Sequence, residues 1–243
     1  MQGESMNQPR LYANKTGRSR GFSTLELLLV MVVSLVVAAL AIPGFNQVRR
    51  TLRISGDARD LNGAINQAKL QAAADFTDAR VYIDLTGTSP ANPLAQFHVD
   101  VWNKGLNCWQ TVGDMDPGPP VQPRCLGATS PVQYLSQGVC FATAPNCAGL
   151  PGAPPPNTQA NGIQQGPQCD PPHGKKVGQA PSTACIEFNS RGFAIDVKTG
   201  VPNGNEAVYI TDGTQVYGVT VGATGMSQVW ANNIQNNANW YRK

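Results

Sequence analysis

The chain has 243 residues, 41% of them apolar and only 14% charged, with a net charge of +3. An average soluble domain carries about 25% charge, so this chain is under-charged, and its 25 glycines and 19 prolines make it rich in turns. Arg10, Lys15, Arg18 and Arg20 hold most of the basic excess, which leaves the remainder nearly neutral in sum, with no net charge that points to nucleic acid.

Residues 22–42 read FSTLELLLVMVVSLVVAALAI, apolar except for Ser23, Thr24, Glu26 and Ser34. At about 1.5 Å per residue such a helix spans roughly 31 Å, the thickness of a bilayer's hydrocarbon core. Two readings compete. In one, the stretch is an ordinary secretory signal cut after Ala39-Leu40-Ala41, releasing a soluble protein that starts at Ile42. In the other it stays as a single membrane-spanning anchor, longer than the usual signal core of about 7–15 residues. Glu26 favours the second. A carboxylate inside a membrane helix is costly, and a cut between Gly21 and Phe22 would create an α-ammonium one turn away. The Glu26 carboxylate of one subunit could then neutralise the Phe22 ammonium of a neighbour, penalising the lone helix and relieving the assembled one.

Gly21 followed by Phe22, with Glu26 four residues on and Pro43 beyond, resembles the class III signal of type IV pilins and type II secretion pseudopilins. The resemblance implies a leader at 1–21 removed by a prepilin peptidase, an N-methylated Phe22, and an assembly helix over 22–43 with Glu26 and Pro43 as assembly residues. It further implies a pilin-like α+β fold, in which a long N-terminal helix, half in the membrane and half amphipathic, packs on an antiparallel β-sheet head. Its expected partners are other pilins or pseudopilins, the peptidase and an inner-membrane assembly platform. No cofactor and no metal are expected.

Pro43-Gly44 should kink the helix without ending it. Val48, Leu52, Leu61, Ile65, Ala68 and Ala72 then form a stripe that predicts an amphipathic helix over 44–75. Arg49, Arg50 and Arg53 nearly balance the basic leader, so charge alone does not orient the span. From residue 79 the period becomes two: Val81, Ile83 and Leu85, then Phe97, Val99 and Val101, predict strands whose alternate residues Tyr82, Asp84, His98, Asp100 and Trp102 face outward. His98 is read as a surface or edge residue. Hairpins are predicted where Ile186 and Phe188 meet Phe193, Ile195 and Val197 across 189–192, and where Val208 and Ile210 meet Val216, Val219 and Val221 across Asp212-Gly213. Together with the helix they predict a head, 44–243, built on an antiparallel sheet buried on one face.

Cys108, Cys125, Cys140, Cys147, Cys169 and Cys185 all follow the apolar segment. An even count confined to one side reads as disulfides made in an oxidising compartment, with 15 pairings open, and places the head outside the cytoplasm. Cys169 and His173 lack the second close pair that a zinc site needs. Residues 144–181 are too proline-rich for a helix or central strand and predict an insertion, either inert or partner-contacting.

The order of helix, two strands, interrupted middle and I-E-F-N-S-R-G-F with closing strands is similar to GspH/FimT-type minor pseudopilins. That likeness implies a low-copy subunit of a periplasmic secretion pseudopilus or a type IV pilus, at the inner membrane. Some FimT-like relatives bind DNA near the C-terminus, where this chain has Trp240, Tyr241, Arg242 and Lys243, with Arg191 apart; a solvated tail is the alternative. No G-x-S-x-G, H-E-x-x-H or phosphate loop occurs, so no enzyme is expected.

Overall fold

The computed structural model describes residues 22–85, 95–113, 132–142, 147, 155, 166–171, 179–204, 206–233 and 240–243. The fold is α+β: one helix, α1 (Thr24–Ala74), and two wholly antiparallel sheets. Two compact units divide the chain between Asn46 and Gln47. In the first, every described side chain from Phe22 to Asn46 is exposed. Pro43 and Gly44 fall within α1, which does not end there.

In the second unit α1 supplies the spine. Ile54, Ala58, Leu61, Ile65, Ala68 and Ala72 are each fully buried, and their alternating spacing of four and three keeps them on one face. The expected stripe is therefore corrected at its start. Val48 and Leu52 are 55% and 66% exposed, because they lie out of phase with a row that Ile54 and Ala58 carry. The helix stops at Ala74, where Thr77 N–H reaches back to the Ala72 carbonyl and Phe76 takes a φ of 50°.

The first sheet is built on β1 (Ala79–Asp84), flanked by β2 (Gln96–Asn103) and β6 (Thr183–Phe188). β3 (Cys108–Thr111) and β4 (Gln133–Tyr134) share the far side of β2, and β7 (Ala194–Ile195) follows β6. The second sheet runs in the order β11 (Tyr241–Arg242), β10 (Ser227–Asn233), β9 (Gln215–Val221), β8 (Glu206–Thr211) and β5 (Cys140–Phe141). The inner faces of both sheets, including Val81, Phe97, Ile186, Val208, Ile210 and Val219, join the buried row of α1 in one core.

Two expectations about the head need correction. There are two sheets rather than one, and their central strands are buried on both faces. The outward row of β1 and β6 is covered by residues around Cys169, and that of β8 and β9 by Trp230, Trp240 and Ala142. At Gly218, a Cβ would stand 2.6 Å from the ring of Tyr209, so the second sheet needs a residue without one to seat that ring.

Both predicted hairpins form. Asn189 Oδ1 accepts from Arg191 N–H and Phe193 N–H, and Gly192 takes a φ of 75°. Asp212 Oδ1 accepts from Thr214 and Gln215 N–H, with Gly213 at 83°. The first hairpin is shorter than expected, for Phe193 stays partly exposed and Val197 lies beyond β7, packed on the outer cluster.

Candidate assembly segment and buried charge network

The N-terminal site begins with a helix start. Ser23 precedes α1, its Oγ accepts from Leu25 N–H at 3.3 Å, and its carbonyl accepts from Leu27 N–H. Glu26 stands three residues after this cap, the Ser-x-x-Glu spacing of a capping box, and is the acidic residue of the first turn. Sequence reasoning asked only what Glu26 does for a neighbouring subunit and missed Ser23, although that spacing was legible. The carboxylate thus complements the positive end of its own helix. Downstream lies an 18-residue window of mean hydropathy 2.8, none of it buried, in a helix long and apolar enough to cross a membrane. Phe22 is exposed at the start. Gly21 and the leader 1–21 lie outside the described residues.

The described cysteines are oxidised. Cys140 is bonded to Cys147 and Cys169 to Cys185, and Cys108 is also in a disulfide. Cys125 and His173 lie outside the described residues, as does most of 144–181. Within the predicted insertion, Cys169 and Asp170 are buried against the outer face of the first sheet. The Cys169–Cys185 bond closes a separation of 16 residues, which stabilises by about 3 kcal/mol on chain-entropy grounds.

Beneath that cover lies a charge network that the alternation rule assigned to solvent. Arg80 is fully buried. Its Nε donates to Asp100 Oδ2 at 3.0 Å, its Nη2 lies 2.9 Å from the same oxygen, and its Nη1 donates to the Asp170 carbonyl at 3.1 Å. The guanidinium also lies 4.2 Å from the ring centre of Trp109. His98 is buried, not at a surface or edge. It stacks on Tyr82 with ring centres 5.0 Å apart and places Nε2 3.2 Å from Asp100 Oδ1, the oxygen that accepts from the Thr111 hydroxyl. The cause is register: Arg80 pairs with Asp100, and Tyr82 with His98, across β1 and β2. Burial alone would raise the Asp100 pKa, but the His98 hydrogen bond, the Arg80 charge and the Thr111 hydroxyl outweigh it and hold the carboxyl at about 2. Burial pushes the Tyr82 hydroxyl up to about 12.

A second buried acid has the opposite character. Glu206 is buried, and desolvation, then the nearby Glu187 and Asp196 charges, push its pKa well above the ordinary 4.5, with the Glu187 backbone a partial offset. A group whose folded pKa is raised binds its proton more tightly when folded. Its penalty is absent below the unfolded pKa and grows as pH rises toward the folded value. Glu206→Gln is therefore expected to raise the melting temperature increasingly between pH 5 and pH 8, read as the variant minus wild-type difference; a difference that is flat or falls with pH would contradict this.

A cleft of about 410 Å³ opens beside the end of α1, lined by Gln71, Asp75, Val101, Asn103 and Gln110 among others. None of the residues proposed from sequence lines it. At the C-terminus, Trp240 is buried against Tyr209 and β11 pairs with β10, so the end is neither a solvated tail nor able to offer that indole to a base. Tyr241, Arg242 and Lys243 are exposed, and Arg191 sits apart in the β6–β7 turn. Among the described residues no group of three or more His, Cys, Asp or Glu side chains is placed to hold a metal ion.

Comparison with protein families, with curated proteins and with solved structures gave no match.

Proposed function

We propose that the chain is a pilin-like subunit, of the GspH/FimT minor pseudopilin kind, that polymerises through its N-terminal helix. A prepilin peptidase removes residues 1–21, the new Phe22 amino group is methylated, and the helix holds the subunit in the inner membrane with its head in the periplasm. The subunit then leaves the bilayer for a secretion pseudopilus or type IV pilus, where Glu26 meets the Phe22 ammonium of an adjacent subunit. The reading is carried by one observation, an unburied 18-residue window of mean hydropathy 2.8 in a helix whose first turn holds a lone carboxylate. Oxidised cysteines in the head support its placement outside the cytoplasm. No chemical step is assigned to the chain, and Gly21 and Phe22 are substrate positions.

Intact-mass and N-terminal peptide analysis of protein from native membranes tests this. A mature chain beginning at N-methylated Phe22 is expected. A chain retaining residues 1–21, or a soluble product beginning at Ile42, overturns it, the latter in favour of ordinary signal cleavage.

A further inference from the structure

We infer that the cleft beside the end of α1 is a binding site for a neutral oligosaccharide, a ligand held through its hydroxyl groups. Its volume of about 410 Å³ falls within the range of about 300–1,000 Å³ that small-molecule sites occupy. Every wall belongs to the head unit, so the site exists whether or not the N-terminal helix is a membrane anchor.

The lining sets the class of ligand. Val101 and Val112, which pack on the core, supply its apolar part. The longer side chains are carboxamides and one carboxylate. On the helix side Gln71 Nε2 donates to Asp75 Oδ2 at 2.7 Å, and on the sheet side Asn103 Nδ2 donates to Gln110 Oε1 at 3.1 Å, so each group is oriented by its neighbour. Gln71 Oε1 and Asp75 Oδ1 keep acceptor capacity beside that bond. The Lys104 ammonium donates one proton to the Phe76 carbonyl and has two more to offer. A sugar hydroxyl both donates and accepts, which such a mixed set satisfies. Asp75 and Lys104 are the charged lining residues and cancel in sum, leaving an ionic ligand no net charge to meet.

The shape is fixed before a ligand arrives. The Thr77 hydroxyl donates to the Trp102 carbonyl at 2.9 Å, and with the Lys104 bond it ties the end of α1 to the end of β2 at two points, which lowers the ordering cost of binding. Between the lining residues Asp75 and Thr77 stands Phe76, 74% exposed and with a φ of 50°. For a bulky residue that backbone region is an outlier of the sort that collects at ligand sites. An exposed flat ring next to a row of hydrogen-bonding groups complements a pyranose, whose faces carry C–H groups and whose edge carries hydroxyls. A peptide would instead require an apolar anchor pocket or clustered charge, which these carboxamides do not provide.

The test uses the full chain in a detergent whose headgroup is not a sugar, titrated separately with maltotriose, cellotriose and triacetylchitotriose and followed by isothermal calorimetry and saturation-transfer NMR. Saturable binding of at least one is expected. Asp75→Ala is expected to weaken it about tenfold or more, as loss of a hydrogen bond to a charged group does. Phe76→Gly is expected to weaken it several-fold while the melting temperature holds or rises, because glycine adopts a positive φ without strain. Binding of none of these sugars, or undiminished binding by either variant, overturns the inference. So does a trialanine peptide that displaces the best sugar at equal concentration, for the cleft would then be a peptide site.

Discussion

Glu26→Gln and Glu26→Ala are both expected to insert into the membrane normally and to enter assembled fibres roughly a hundredfold to a few thousandfold less than wild type. The magnitude follows from removing one partner of a charge pair in a low-dielectric bundle, which costs about 3–5 kcal/mol at about 1.4 kcal/mol per factor of ten. Two substitutions are needed because Glu26 stands at the third helical position after the Ser23 cap. Glutamine keeps the hydrogen-bonding capacity of a capping box while losing the charge, and alanine loses both. Membrane fractionation reads insertion, and the amount of variant in sheared or purified fibres reads assembly. If the glutamine variant assembles normally and only alanine fails, Glu26 matters for starting its own helix, and the pairing with a neighbour's ammonium is wrong.

The buried pair of Arg80 and Asp100 carries the second large effect. Asp100→Asn leaves a fully buried guanidinium without its counter-charge, at a cost of about 3–5 kcal/mol, or a fall in melting temperature of about 6–20 °C for a head of this size. Arg80→Met is expected to do comparable harm by stranding the carboxylate, and Arg80→Met with Asp100→Leu to recover much of the loss, because the desolvation cost disappears with the charges. The pair also sets an acid limit. Asp100 has a depressed folded pKa of about 2, so its contribution is complete above the unfolded carboxylate value near 3.8 and is lost as pH falls from there toward 2. Thermal unfolding of the full chain in detergent measures all three variants. Single variants within 1 kcal/mol of wild type would show that the network contributes little, and no loss of wild-type stability on acidification would remove the carboxylate from the account.

The features legible in sequence were those set by near neighbours. A period between three and four read α1 to its end at Ala74, and Asn189–Gly192 and Asp212-Gly213 announced their hairpins because turn chemistry is local. The phase of the helix was misread at Val48 and Leu52, where apolar residues continue past the apolar N-terminal stretch on a side that stays exposed. The outer faces were misread for a longer-range reason. Arg80, His98 and Asp100 have the polarity of solvated strand positions, and nothing nearby in the chain reveals that Asp170, 90 residues from Arg80, closes over that guanidinium. At the N-terminus the Ser23 cap was readable, whereas the leader processing implied by Gly21 and Phe22 is a matter of chemistry on the maturing chain.

The two sheets are sealed differently, and that difference bears on how the protein can be made. Over the second, Trp230, Trp240 and Ala142 close by packing and by hydrogen bonds from the Trp230 indole to the Thr220 hydroxyl and from Ala142 N–H to the Tyr209 carbonyl; over the first, the cover is tied to β6 by the Cys169–Cys185 bond. Thiols stay reduced in a cytosolic expression host. Material recovered from one would lack the tether over the first sheet and also the Cys140–Cys147 bond at β5 of the second, and a refolding protocol built around thiol oxidation would have to restore a cover in the one and an edge in the other.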